Sequence, residues 1–511
     1  MLAAALGAGL GSIARPRAQE QPAADAAPPP AAGEAFGLET VRERARRLAA
    51  EEFHDVGAEL PEALREISHD QYRAIRYRPR QALWTDAEGV LFRAEFFHLG
   101  FYYQRPVRVN VVDQGLVLEV KYSKELFDFG ANGLAAELPE NLGFAGFRLR
   151  YPLERADAYD EIAAFLGASY FRVLGQRQRY GVSARGLAVN TASPSGEEFP
   201  YFREFWLEKP APGATTITFY ALLDSESVTG AYRFVLDPGG TTRLDVTATL
   251  YPRKEIQRLG IAPLTSMFLF GENTVRPAVD DFRPEVHDSD GLAIHNGNHE
   301  WLWRPLNRRS ELQVSSFVDR DPKGFGLFQR DRAFADYQDL GTMPHLRPSY
   351  WVEPMGAWGD GVVQLVEIPS DREVNDNVVA YWAPAVAAVP GQPIDLAYRL
   401  SAELETPDKP PLGRTEATRV GPGATEGSRR FVLDFIGGGL DRYETDAPIE
   451  AVVGATRGEI PLRVVQRNPV TGGWRVVFDF VPADESPTDL RCLLRLNGQP
   501  LTETWLYLWT A

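Results

Sequence analysis

Two short acidic loops contain the residues of this chain that are best suited to chemistry. Residues 287–291 read His-Asp-Ser-Asp-Gly and residues 375–377 read Asn-Asp-Asn, and both loops lie beside strand-like sequence that is rich in tryptophan. Paired carboxylates suit the cleavage of glycosidic bonds, because one carboxyl group protonates the leaving oxygen while the other activates or supplies the nucleophile. Flat aromatic rings beside them would offer apolar faces for sugar rings. The pattern therefore indicates a sugar-cleaving site.

Each loop also has a purely structural interpretation. Asp288 and Asp290 flank a serine before a glycine, which is typical of an Asx-turn in which the side chain bonds its own backbone. The segment lacks the longer spacing and the distal Glu of a calcium-binding EF-hand loop. Asp376, between two asparagines, could belong to a hairpin turn. In the functional interpretation, Asp376 is a general acid whose pKa is raised by burial.

The segment 295–305 combines two histidines with two tryptophans. His295 and His299 are four residues apart, which on a helix would suit zinc, but the Asn-Gly-Asn between them favours a turn. We therefore expect no metal site. Trp301 and Trp303 would share one face of a strand, where they could pack in a core or stack on a ligand.

Arginine and aromatic residues alternate in residues 171–186 and 195–206. A nucleic-acid surface can look like this, but the neighbouring glutamates and the overall charge oppose that interpretation. Recognition of sugar hydroxyls or internal ion pairs fits better.

The composition is that of an ordinary globular protein with an acidic surface. The chain has 511 residues, with 70 Asp and Glu against 54 Lys and Arg, and a net charge of −16. This charge argues against nucleic acid as a partner. One cysteine, Cys492, excludes an intrachain disulfide. The chain has neither a phosphate-binding loop nor a dinucleotide fingerprint, so we expect no cofactor.

The hydrophobic pattern predicts an all-β protein. Helical spacing is restricted to residues 38–52, a short stretch at 61–67 and a weaker candidate at 157–166. Most other apolar segments alternate with a period of two, as in 107–112, 117–122, 216–222, 243–251 and 361–368, which indicates antiparallel sheets packed as sandwiches.

The chain divides into three predicted parts. Residues 1–34 combine a short apolar run, a cleavage-like segment and an Ala/Pro-rich leader, as in an exported protein. Residues 35–402 would form a large β-sandwich domain. A linker at 406–427, crowded with Pro and Gly, then leads to about seven short strands within 412–511, as in a small immunoglobulin-like sandwich.

The sequence resembles the periplasmic glucan biosynthesis family of the OpgG/MdoG and OpgD proteins. The match runs from about residue 36 to 509. Its most distinctive stretches are 142–147, 165–173, 180–188, 194–200, 262–271, 300–307, 324–327 and 502–505, together with the two acidic loops.

The resemblance implies a galactose-mutarotase-like β-sandwich followed by an immunoglobulin-like domain. It also implies a location in the periplasm and an anomer-inverting glycoside hydrolase or transglycosylase acting on β-1,2-glucan. By the same resemblance Asp376 is the general acid and Asp288 is the general base. Substrate-binding residues are carried over loosely; they are Glu300, Trp301, Trp303, Arg304 and Trp358.

Other functions stay open at this point. The protein could be a non-catalytic factor that binds glucan and hands it to membrane glucan synthase machinery, and it could form a homodimer. A carbohydrate epimerase is disfavoured, although His287 could serve as its base. The loop 331–348 would control whether water or a sugar hydroxyl reaches the anomeric carbon.

Overall fold

The computed structural model of the chain describes residues 36–131, 133, 138–274 and 281–511, with only the backbone of 58–59. Phe36–Ala511 form one compact unit. The predicted signal and leader, residues 1–34, lie outside the described residues. Within the described part, no helix is long and apolar enough to cross a membrane.

Two large sheets and three smaller ones account for the strands, which we number in chain order. The ten-stranded sheet runs in the order β2 (Arg93–Phe97), β6 (Gly146–Tyr151), β7 (Asp160–Leu166), β8 (Tyr170–Val173), β9 (Ser183–Arg185), β15 (Leu259–Ser266), β24 (Val378–Pro384), β23 (Asp360–Glu367) and β20 (Gln313–Arg320), with β10 (Ala188–Val189) paired to β15.

The fifteen-stranded sheet crosses the whole compact unit. Its order is β28 (Glu450–Ala455), β31 (Thr488–Leu496), β33 (Thr504–Trp509), β19 (Trp301–Pro305), β18 (Gly291–His295), β21 (Gly324–Phe328), β22 (Ser349–Pro354), β25 (Ile394–Glu403), β14 (Thr242–Pro252), β13 (Val228–Asp237), β12 (Ile217–Asp224), β11 (Tyr201–Glu208), β3 (Arg108–Asp113) and β4 (Leu116–Glu119), with β32 (Gln499–Pro500) paired to β31.

The smaller sheets complete the set. One has four strands, β26 (Arg414–Pro422), β27 (Arg429–Ile436), β30 (Gly473–Val481) and β29 (Glu459–Asn468), and two are pairs: β1 (Arg76–Tyr77) with β5 (Phe127–Asp128), and β16 (Phe268–Phe270) with β17 (Val286–His287). The α-helices are α1 (Leu38–Ala49), α2 (Glu62–Arg65), α3 (His69–Ala74) and α4 (Phe334–Tyr337).

Phenylalanines from the two large sheets interlock to form the main core. Phe165 of β7 meets Phe219 of β12 edge to face, with ring centroids 5.1 Å apart, and it meets Phe234 of β13 at 5.3 Å. Phe147 of β6 contacts Phe205 of β11 at 4.9 Å. Edge-to-face contacts add about 0.5–1.5 kcal/mol per pair to the stabilisation that comes from burying the rings.

The predicted fold class is confirmed, since the described chain is nearly all β with several sheets. The helix predicted at 38–52 is confirmed as α1, which covers the opposite face of the fifteen-stranded sheet by burying Val41 and Ala45 against Trp206. The second predicted helix, at 61–67, is α2.

The helix predicted at 157–166 is wrong. This segment contains β7, which pairs with β6 and β8. A ten-residue segment is too short for its apolar spacing to separate a strand from a helix. Packing of Phe165 among the core phenylalanines decides the outcome.

The predicted linker at 406–427 is also wrong in part, because β26 runs through it from Arg414 to Pro422. The C-terminal strands form two layers, with Phe431 and Phe478 of the four-stranded sheet packing on Trp505 and Tyr507 of β33. β33 also pairs in parallel with β19, so the fifteen-stranded sheet is continuous between the large and the small sandwich.

A buried neutral histidine in the core gives a test of this packing. His98 is 3% exposed, and its Nδ1 lies 2.6 Å from the Leu99 carbonyl oxygen, which can only accept a hydrogen bond. Nδ1 therefore donates, and Nε2 accepts from the Tyr122 hydroxyl at 2.9 Å. Burial lowers the pKa of His98 from 6.5 to about 4.

We expect His98 to destabilise the fold as the pH falls. Its folded-state pKa lies below the unfolded value, so the stability it contributes is complete above pH 6.5 and is lost as the pH falls towards 4. Between pH 7 and pH 5 the loss should be about 2 kcal/mol. Urea unfolding at both pH values should show the stability gap between wild type and His98→Gln shrinking by that amount. The exposed His69→Gln serves as control, and an unchanged gap would contradict the prediction.

Candidate active site

The joint between the two large sheets brings the two acidic loops together. β15 of the ten-stranded sheet leads into β16, and β17 leads through residues 288–290 into β18 of the fifteen-stranded sheet. β16 and β17 pair with Phe268 opposite His287, and the backbone N–H of Asp288 donates to the Met267 carbonyl at 2.8 Å. Asp288 is thereby fixed at the start of β16.

The Asn-Asp-Asn loop is attached to the same point. The Asn377 side chain accepts from the Phe268 N–H at 2.8 Å, and it donates to the carbonyl oxygens of Phe268 and Ile368, both at 3.0 Å. Asn377 is 7% exposed, so these bonds are shielded from water. Asp376 precedes it, and its charge acts on Asp288. The structure therefore brings together the two carboxylates that the sequence singled out.

Asp288 is buried and paired with an arginine. Nη1 of Arg347 lies 2.6 Å from Oδ1 of Asp288 and also donates to the His287 carbonyl at 3.0 Å. Burial raises the pKa of Asp288 to about 6, although the Arg347 charge lowers it. The negative charge of Asp376 raises it further. Arg347 lies near the end of the loop 331–348, so this loop contributes directly to the environment of Asp288.

Asp376 itself is exposed. The burial of Asp376 that the functional interpretation of the sequence expected is therefore absent in the free protein. A side chain on the short loop that precedes β24 stays exposed to solvent unless another element covers it.

One wall of the site comes from the segment in which arginine and aromatic residues alternate. Tyr170 of β8 pairs in register with Arg185 of β9, and the guanidinium lies 4.7 Å from the tyrosine ring centroid. Arg185 is held by Glu197 at 2.5 Å and by Thr265 at 2.9 Å. Burial raises the pKa of Tyr170, Arg185 lowers it, and the charge of Asp376 raises it, so Tyr170 lies within electrostatic range of the Asn-Asp-Asn loop. The internal ion pairs expected from the sequence are present here.

The residues predicted to bind substrate occupy other positions. Trp301, Trp303 and Arg304 are 8%, 3% and 2% exposed. Trp301 stacks between His295 and Trp351, Trp303 lies against the Arg330 guanidinium at 3.5 Å, and Arg304 pairs with Glu367 at 3.3 Å. Their faces and polar groups are engaged within the protein, as the core-packing alternative expected.

Glu300 and Trp358 are less buried but also lie away from the two acids. The Glu300 carboxylate accepts from the Thr504 hydroxyl at 2.6 Å. Trp358 precedes β23, whereas Ile368, which bonds Asn377, follows it. The eight residues of β23 span roughly 26 Å at about 3.3 Å per residue. Trp358 and the Asn-Asp-Asn loop therefore lie at opposite ends of this strand and cannot contact the same sugar ring.

The zinc alternative for His295 and His299 does not fit the backbone. His295 ends β18, and His299 has a positive φ of 66° in the turn expected from Asn-Gly-Asn. The glycine of Asp-Ser-Asp-Gly has a packing reason, since a Cβ on Gly291 would lie 2.5 Å from the Trp303 ring.

Arg347, Tyr170 and Arg185 were not singled out individually by the sequence. Arg347 lies sixty positions from His287 in sequence, as its hydrogen bond to that carbonyl records. No local pattern reports such a contact. The alternation in residues 171–186 was the available signal for Arg185, and Tyr170 immediately precedes that segment.

Comparisons with known proteins agree over nearly the whole chain. The model of a family described as "Periplasmic glucan biosynthesis protein, MdoG" matches residues 36–509. Glucans biosynthesis protein G of Ralstonia nicotianae is 49% identical, over 93% of this chain and 96% of that protein. Glucans biosynthesis protein G of Rhodopseudomonas palustris is 48% identical, over 96% and 97%. The probable glucans biosynthesis protein D of Shewanella oneidensis is 46% identical, over 93% and 89%.

The three hydrogen bonds that the Asn377 side chain makes to Phe268 and Ile368 can be tested directly. Asn377→Ala should lower the free energy of unfolding by about 1–3 kcal/mol, because buried backbone groups of Phe268 and Ile368 lose their partners. It should also speed amide exchange across residues 371–377. The matched control is Asn375→Ala in the same loop, whose exposed amide bonds only Ser370. Equal effects of the two substitutions would contradict the conclusion that the Asn377 hydrogen bonds fix this loop.

Proposed function

The chain belongs to the periplasmic glucan biosynthesis protein family, and from that premise we propose that it cleaves or transfers β-1,2-glucan in the periplasm with inversion at the anomeric carbon. The observation that carries the proposal is the pair Asp288 and Asp376. One carboxylate is buried and held by Arg347, the other is exposed on a loop, and their charges interact.

The two carboxyl groups have different parts in the proposed reaction. Asp376 protonates the glycosidic oxygen, and the glucan that covers its loop provides the desolvation that the free protein lacks. Asp288 removes a proton from water, or from an acceptor sugar hydroxyl, on the opposite face of the ring. Arg347 favours the ionised form of Asp288 and fixes the orientation of its carboxylate. Water as acceptor gives hydrolysis, and a sugar hydroxyl gives transglycosylation.

Free-protein electrostatics favour a second assignment of the same pair. Because burial raises the pKa of Asp288 to about 6, Asp288 would be the acid and the exposed Asp376 the base if environment alone decided. The contact of 2.6 Å with Arg347 supports the first assignment, since a guanidinium stabilises a carboxylate and not a carboxylic acid.

Substrate contacts are proposed for the wall formed by Tyr170 and Arg185. Tyr170 offers an aromatic surface near Asp376, and the side chain of Arg185 is oriented by Glu197. Trp358 and Glu300 could contact only distant units of a long glucan. Membrane glucan synthase machinery and a second copy of the chain stay predicted partners.

We expect wild type to convert linear β-1,2-glucan, and Asp288→Asn and Asp376→Asn each to lower the rate by about 10²–10⁴-fold. Products should be separated by size, with the anomer followed by NMR. Shorter chains would indicate hydrolysis, and longer or cyclic chains transfer. The control is Asp371→Asn, an exposed carboxylate on the loop of Asp376. If wild type and all variants bind glucan tightly but leave it unchanged, the proposed enzymatic activity is overturned in favour of a glucan-binding assembly factor.

A substrate with a fluoride leaving group separates the two assignments. Fluoride departs without protonation, so a variant that lacks the general acid should recover activity on β-sophorosyl fluoride, whereas a variant that lacks the base should not. We expect the activity of Asp376→Asn, expressed relative to wild type, to be at least tenfold higher on the fluoride than on glucan. Asp288→Asn should stay inactive on both substrates. The opposite pattern would reverse the roles.

A further inference from the structure

Behind Asp288 lies a second group of ionisable side chains that the proposed reaction does not use. It consists of Glu285, His287, Asp290 and Asp331, and one ligand atom from each lies within 4.8 Å of every other. They come from β17 with its flanking residues and from the loop that follows β21. All four line a cavity whose opposite side includes Thr415 and Thr418 of β26.

The orientation of the His287 ring exposes one nitrogen to the carboxylates. Nδ1 lies 3.0 Å from Oε1 of Gln329, whose amide is oriented by weak contacts of its Nε2 with the carbonyls of His287 and Pro344, both at 3.5 Å. Nδ1 therefore donates to Gln329. Nε2 faces Glu285 at 2.8 Å and Asp290 at 3.3 Å. A lone pair surrounded by carboxylates is repelled unless a proton or a metal ion lies between them.

Asp331 supplies an independent indication that this group suits a cation. Among the described residues its carboxylate has neither a hydrogen bond nor an ion pair, although its backbone N–H and carbonyl are both bonded. Its side chain is partly exposed, and the carboxylates of Asp290 and Glu285 lie close to it, so like charges surround it. A partly buried carboxylate without a cationic partner is costly.

Among the described residues, the nearby Arg330 and Arg332 are bound to other groups. Arg330 makes two bonds to Glu503, at 2.7 and 2.9 Å, and stacks on Trp303. Arg332 donates to the backbone carbonyls of His345 and Arg347 and to Ser349. Asp290 is itself oriented, because its Oδ2 accepts the backbone N–H groups of Arg330 and Asp331 while Oδ1 faces His287.

We propose that Glu285, His287, Asp290 and Asp331 bind one divalent transition-metal ion. One imidazole nitrogen with three carboxylate oxygens suits Zn²⁺ or Mn²⁺ better than Mg²⁺, which prefers oxygen ligands and retains water. The bond from Nδ1 to Gln329 is the outer contact that such a histidine ligand normally makes. The sequence predicted no metal site, and this proposal departs from that prediction.

The ion would act by positioning. It would join the segment that carries Asp288 to the loop whose far end supplies Arg347. The metal site is independent of the proposed reaction, since the ion would join the same two segments in a non-catalytic glucan-binding factor.

Metal retention and thermal stability of the purified protein test the proposal. Protein stripped with EDTA should regain about one equivalent of Zn²⁺ or Mn²⁺ after gel filtration. Its Tm should rise by several degrees with these ions and not with equal Mg²⁺. Asp331→Asn and Glu285→Gln should bind at least tenfold more weakly. Glu416→Gln, on the same cavity wall but paired with Arg414, is the control and should bind normally.

The sign of the Asp331→Asn effect distinguishes a metal ion from a proton. Without metal, the substitution removes like-charge repulsion and should raise the Tm. With saturating Zn²⁺ or Mn²⁺ it removes a ligand and should leave the variant less stable than wild type. If the substitution raises the Tm in both conditions, or if wild type retains no more metal than the variant, His287 is simply protonated and the proposal is overturned.

Discussion

The candidate site depends on one short pairing, that of β16 with β17. Each strand continues directly into a different large sheet, so this pair is one of the places where the ten-stranded and fifteen-stranded sheets are connected. The backbone N–H of Asp288 donates to the carbonyl of Met267, just before β16, and the Asn377 side chain bonds Phe268, the first residue of β16. Both loops are therefore anchored at this point by hydrogen bonds that are buried, directional and costly to break.

Local chemistry was the part that sequence could predict. The two acidic loops, the helix at residues 38–52 and the alternating strands all have signals within a few residues, and all of them were found. β7 was misassigned because a short apolar segment has no unique period, and β26 was missed because its Pro and Gly neighbours suggested a linker. In both cases a distant partner strand decides the structure.

The tryptophans and Arg347 show a similar limit. The sequence around Trp303 would be the same whether its ring stacked on a sugar or on Arg330. Only the fold shows that the Arg330 guanidinium occupies the face of the ring. Arg347 cannot be linked to Asp288 by spacing, because the contact depends on where the loop after β21 returns. Residue type thus predicts what a side chain can do, while burial and partners decide which of those things it does.

The parallel pairing of β33 with β19 has a consequence for biogenesis. β19 lies between β18 and β33 in the sheet, and the Arg330–Glu503 ion pair closes beside it. A growing chain has made both acidic loops long before it has made residues 503–509, so the strands around them keep an open edge until synthesis has passed that point. Such an edge is prone to mispairing, and a long sequence separation slows its closure. The strands around the two acidic loops therefore reach their final pairing only after residues 503–509 have been made.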